Sequence, residues 1–134
     1  MLELARHLSD CSLLILIWIV QLAIYPSFQF MSTEQLIQWH AKYTERMAWI
    51  AGPLILLQTT IVSIQIAQET SAIHILSGCV VGVTWMLTYF VSIPLHRAIS
   101  QDRAGPVVLK KLVDTNWYRT ICWSVLFAIG WWAN

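Results

Sequence analysis

Residues 73–95 read IHILSGCVVGVTWMLTYFVSIPL, a run without Asp, Glu, Lys or Arg. As a helix it can cross a ~30 Å hydrocarbon layer, which takes ~20 residues. Three more apolar stretches flank it, at 13–30, 47–66 and 117–132. Each approaches spanning length alone or with its flanks. The sequence therefore predicts an all-α protein, a four-transmembrane-helix antiparallel bundle. The chain has 134 residues, so 1–134 reads as one transmembrane domain with no room for a soluble one. Four crossings put both termini on one side and the connections 31–46 and 96–116 on the other.

Charge fixes the orientation. Lys42, Arg46, Arg97, Arg103, Lys110, Lys111 and Arg119 fall in or beside the first and third connections, and Arg6 is the only Lys or Arg on the opposite side. Short loops rich in Lys and Arg stay in the cytoplasm. The expected protein is multi-pass, with both termini outside and those two connections cytoplasmic. A net charge of +1 and the lack of a basic stripe exclude a nucleic-acid partner. The first stretch carries Glu3 and Asp10 as well as Arg6 on its approach and is followed by no small-x-small site. It reads as a retained span rather than a cleaved signal. Cys11, Cys79 and Cys122 have no paired spacing, so no metal knuckle or redox pair is expected.

The first span is expected to end near Tyr25-Pro26, because proline removes a donor and restricts the residue before it. Ser32 and Gln35 have capping-box spacing, and Met31 and Leu36 can staple the start of the second helix. That helix carries His40, Lys42, Tyr43, Glu45 and Arg46 beyond the membrane, and Pro53 is a candidate kink. Gln68-Glu69-Thr70-Ser71 reads as a turn. Gly78 and Gly82, four apart, are expected to let another helix approach closely. They favour packing within the bundle, with a homo-oligomer as the other use. The third helix is expected to end around 94–97, and Pro106 suits the first position of the last helix.

At 3.6 residues per turn the polar stripes all rise to the cytoplasmic end. The second helix presents Leu36, His40, Tyr43 and Met47. The third presents Trp85, Tyr89, Ser92 and His96, and the fourth Leu112, Asn116, Arg119 and Trp123. The first adds Gln21, Tyr25 and Ser27. Polar groups at membrane depth are costly, so they face the interior and mark function. A plainer account covers other residues. Lys42, Arg46, Arg97, Lys110 and Lys111 read as snorkelling anchors. Trp39, Trp49, Trp117, Trp131 and Trp132 read as an aromatic belt. His7 and His74 lie at the outer end and read as solvated or interfacial, and Glu45 lies off the His40 face. His40 and His96 could sit idle in the headgroup layer. Asn116 and Arg119, one turn apart at the start of an apolar span, resist that account.

The residues Pro94-Leu95-His96 and Asn116-Trp117-Tyr118-Arg119-Thr120 resemble a pattern of the anthrone-oxygenase-like family of small four-helix membrane proteins, with a weaker echo in Tyr25-Pro26. The likeness covers roughly 94–123. It implies oxidation of an aromatic anthrone to an anthraquinone by molecular oxygen, with no bound cofactor. Many such proteins have no known activity. His96 stands where the family commonly has asparagine, and His40 is a further departure.

Three functions are consistent with these residues. In the first, a cofactor-independent oxygenase, His40 or His96 removes a proton from an apolar aromatic substrate. Asn116 and Arg119 then hold the resulting oxyanion, with Tyr25, Tyr43, Tyr89 and Trp123 lining the ring. In the second, His40 and His96 are axial ligands of a haem, or bind a quinone with Arg119. No carboxylate shares their faces, so a dinuclear metal site is not expected. In the third, the chain is a non-catalytic membrane subunit or assembly partner whose polar end docks another protein.

Overall fold

The computed structural model describes residues 1–103 and 105–132. Four long helices account for nearly all of them: α1 (Leu2–Phe30), α2 (Thr33–Gln68), α3 (Ala72–Ser100) and α4 (Pro106–Trp132). No strand occurs among the described residues. The first three helices are long and apolar enough to cross a membrane, which makes this a membrane protein by length and composition.

Local chemistry sets the helix ends. Ser32 Oγ accepts the Gln35 amide while Gln35 Oε1 accepts the Ser32 amide, closing the capping box that starts α2. Ser71 Oγ accepts the His74 amide and starts α3. Pro106 opens α4, where its missing N–H has no intrahelical partner to lose.

Two helix ends depart from expectation. Neither α1 nor α3 stops at its proline; they run on to Phe30 and Ser100. The chain widens instead into a π turn just before each proline, at Val20–Ile24 ahead of Pro26 and at Thr88–Ser92 ahead of Pro94. A proline ring clashes with the carbonyl four residues back, and a π turn is the local adjustment that relieves it inside lipid. Pro53 is exposed and lies within α2, which continues through it to Gln68.

The helices meet in a ring of contacts, α1 with α2 and α4, and α3 with α2 and α4. Leu13, Ile17 and Val20 of α1, Leu36 and Val62 of α2, Val81 of α3, and Leu112 and Leu126 of α4 form the core. The opposite faces expose Leu22, Trp49, Leu56, Phe90 and Trp131, apolar side chains that suit contact with lipid. Gly78 packs as expected, since a Cβ there would lie 2.8 Å from Ile66 Cδ1 on α2. Gly82 does not: nothing lies within 4 Å of a Cβ built on it, and it borders an outward groove between α2 and α3. One glycine is enough to bring the two helices together.

Candidate functional site

The basic end of the bundle, where the first and third connections lie, gathers one polar cluster. The π turns deliver two of its members, for Tyr25 follows the first and His96 follows the second. The Tyr25 hydroxyl is hydrogen-bonded to His96 Nε2 at 2.8 Å. His96 Nδ1 is hydrogen-bonded to His40 Nε2 at 2.8 Å, and His40 Nδ1 to Ser100 Oγ at 3.2 Å. His40 is fully buried, with Phe28 and Tyr43 against its ring. Ser100 is exposed at the end of α3.

Arg119 organises the second half of the cluster. Its Nη1 donates to Ser92 Oγ and to Asn116 Oδ1, each at 3.2 Å. Asn116 Nδ2 donates to Gln21 Oε1 at 2.8 Å, and Gln21 Nε2 donates to the Val113 carbonyl. The guanidinium lies 5.0 Å over the Trp123 ring, a cation–π contact. Among the described residues no carboxylate pairs with it, and its buried Nε has no hydrogen-bond partner. A charge taken into an apolar bundle without a counter-ion is expensive. An anionic or electron-rich ligand atom would offset that cost.

Beside these groups lies a cavity of about 370 Å³. Met47, Ala51 and Ile55 of α2 and Trp85, Thr88 and Ile93 of α3 form its walls. Tyr25, Tyr43, Ser92, His96 and Arg119 form its polar floor. A smaller space of about 40 Å³, lined by Ile17, Val20 and Trp123, continues from the same Tyr25, Tyr43 and Arg119. The mouth opens between α2 and α3, past Leu56 and Ile93, toward the side of the bundle rather than its end. Nothing lies within 4 Å of a Cβ built on Gly52, which keeps this wall open.

Most of the expected residues converge here, though not all of them line the cavity. His96, Arg119, Tyr25 and Tyr43 line the cavity, and Trp123 lines its small extension. His40 and Asn116 do not line it. His40 lies behind His96, and Asn116 lies behind Arg119, accepting from the guanidinium on Oδ1 and donating from Nδ2 to Gln21. Tyr89 is not brought to the site: it is 65% exposed and packs edge-on against Phe90. The π turn breaks the 3.6-residue register on which its face was read, and Thr88 lines the wall instead. The histidine pair does not fit a haem. Axial ligation by both rings needs an iron and its macrocycle between the facing nitrogens, but these are hydrogen-bonded to each other and the rings are stacked at 5.1 Å.

The far end holds a second buried cluster that the sequence reading missed. Arg6 Nε donates to Asp10 Oδ2 at 2.5 Å, and Arg6 Nη1 to Gln65 Oε1 at 2.8 Å. Gln58 Nε2 donates to Asp10 Oδ1 at 2.5 Å, while Gln58 Oε1 accepts the Trp123 indole N–H at 3.1 Å. Trp123 thus joins this cluster to Arg119. His7, expected to be solvated or interfacial, is half-buried and hydrogen-bonded to the Gly130 carbonyl at 3.0 Å. Two signals in the sequence pointed here: the i, i+4 spacing of Arg6 and Asp10, and Gln58 and Gln65 two turns apart within an apolar run.

No family model matches the chain, and no curated protein or solved structure is significantly similar to it.

Proposed function

We propose that this protein is a four-crossing membrane protein whose cytoplasmic end binds an apolar, aromatic-sized molecule carrying one acidic or electron-rich oxygen. The observation that carries the reading is Arg119, a guanidinium at the floor of an apolar cavity with no carboxylate partner and a free buried Nε among the described residues. A phenolate or enolate oxygen beside Arg119 would supply the missing charge and acceptor. Trp123 beneath the guanidinium and Met47, Ile55 and Trp85 above would take the ring. The side-facing mouth suits a ligand that arrives dissolved in the bilayer.

The chemistry this arrangement favours is removal of a proton from a phenol or an activated carbon. His96, acting directly or through Tyr25, accepts the proton, and Arg119 holds the anion. For an anthrone-like substrate, molecular oxygen then completes the reaction. The ring CH₂ becomes a carbonyl, one oxygen atom is kept and the other leaves as water with the two hydrogens. The oxygenase assignment is an extension of the resemblance in 94–123; the binding site stands without it. A quinone, an apolar ring with acceptor oxygens, would use the same Arg119 donors.

The test compares β-naphthol with naphthalene, two rings that differ by one hydroxyl, binding to detergent-solubilised protein shown to be folded. Wild type should prefer β-naphthol, and both Arg119→Ala and Arg119→Lys should lose that preference. A point ammonium cannot replace a planar fork of donors. An Arg119→Lys variant that keeps the full preference would return Arg119 to the set of interfacial anchors and remove the reading.

A further inference from the structure

We infer that Tyr25, His96, His40 and Ser100 form a proton conduit from the cavity floor to the water at the basic end. The inference rests on the proposed binding site only for the identity of the acid. Tyr25 is 3% exposed and lines the cavity, His40 is fully buried behind His96, and Ser100 is exposed in the last turn of α3. Three consecutive hydrogen bonds of 2.8, 2.8 and 3.2 Å connect them without a gap. Three helices supply the four groups, so the chain of contacts is not one helix's local pattern.

Hydrogen-bond bookkeeping restricts the chain to two states. A neutral imidazole has one N–H and one bare nitrogen. The His96–His40 contact needs one of each, so both rings must carry the proton on the same-named nitrogen. In one state both are Nδ1–H: Tyr25 donates to His96, His96 to His40, and His40 to Ser100. In the other both are Nε2–H and every bond is reversed. Ser100 Oγ also lies 3.2 Å from the His96 carbonyl, to which only a hydroxyl hydrogen can be given. That contact selects the Nδ1–H state, with Ser100 accepting from His40.

Transfer then proceeds by one shift along the chain. The ligand hydroxyl gives its proton to the Tyr25 oxygen as Tyr25 gives its own to His96 Nε2. His96 passes its Nδ1 proton to His40 Nε2, and His40 passes its Nδ1 proton to Ser100 and on to water. One O–H bond breaks at the ligand, one proton emerges at the surface, and both histidines end as the Nε2–H tautomer. No net charge is left on the chain. That matters beside Arg119, because an imidazolium there would add a second unpaired cation to the apolar floor. Tyr43 and Phe28 cover the remaining sides of the pair, and among the described residues no carboxylate faces it.

The discriminating variant is His40→Gln. An amide can bridge His96 and Ser100 but cannot accept a proton on one side and release it from the other. In reconstituted protein with bound β-naphthol, proton release to a pH dye on the basic side should slow about 100-fold in His40→Gln, in the range of lost acid–base assistance. Its affinity for β-naphthol should be unchanged. Ser100→Ala, in which water can replace the hydroxyl, should slow release far less. Release at the wild-type rate in His40→Gln would overturn the conduit, whereas a wild-type protein that fails to bind β-naphthol would count against the binding site. A second measurement needs no ligand. Nitrogen NMR of isotope-labelled histidine should show His40 and His96 both as Nδ1–H tautomers, and unlike tautomers would overturn the conduit by themselves.

Discussion

Arg6 gives Nε to Asp10 and Nη1 to Gln65, whereas Arg119 has Ser92, Asn116, the Tyr25 hydroxyl and the Trp123 face, all of them neutral. The first arrangement reads as structural and the second as receptive. Removing one partner of a buried ion pair strands the other, at a cost of about 3–5 kcal/mol. Arg6→Met and Asp10→Leu should each lower the unfolding free energy in detergent by that order. The double variant should be more stable than either, because no unpaired charge remains; additive losses would show that the pair is not coupled. Gly130 belongs to the same cluster. A Cβ there would sit 2.5 Å from Asp10 Oδ2, on a carboxylate already held by Arg6 and Gln58. Gly130→Ala should destabilise by about 1–3 kcal/mol through overpacking, measured by the same unfolding experiment. These residues were hard to find from sequence for a physical reason. Charges near a terminus look like solvated flank until a partner helix is known to cover them, and here the cover comes from Gln58 and Gln65 of α2. Arg119 was easier, because no solvated account suits a guanidinium beyond Asn116 in an apolar span.

At the scale of elements, the two π turns before Pro26 and Pro94 place Tyr25 and His96 within hydrogen-bond reach. Hydrophobic periodicity alone does not show such turns, and this is why the sequence shortened α1 and α3 and turned Tyr89 inward. The capping box at Ser32 and the start at Pro106 were legible because they are set by local chemistry. The α2–α3 pair yields two contrasts. Gly78→Leu should reduce the yield of folded protein sharply, since Ile66 occupies the space, while Gly82→Leu should be tolerated in the open groove. Equal loss in both would mean that another surface covers Gly82. Gly52 is different again. Gly52→Leu adds a helix-favouring side chain, worth about 0.5–1 kcal/mol over glycine in a helix, but projects it into the cavity wall. The variant should melt at or above the wild-type temperature and bind β-naphthol at least several-fold more weakly. Unchanged affinity would place the ligand elsewhere.

Over the whole molecule, folding sharpens the charge asymmetry seen in the sequence. Arg6 is drawn into an internal ion pair and Arg119 into the cavity floor, so six loop cations remain at one end and none at the other. The positive-inside rule then predicts both termini outside. A cysteine at Gln101, on a background lacking Cys11, Cys79 and Cys122, should resist an impermeant thiol reagent added to intact cells; labelling from outside would invert the topology. The bundle unites the two polar clusters through Trp123, which donates to Gln58 and underlies Arg119. The most direct measurement of the central claim is the nitrogen NMR signal of the Arg119 Nε in protein labelled at its five arginines and assigned by loss in Arg119→Lys. Adding β-naphthol should shift that one signal as an oxygen comes to rest against its guanidinium, while naphthalene should leave it in place. A signal unmoved by saturating β-naphthol, or moved equally by naphthalene, would contradict an oxygen-recognising site at Arg119.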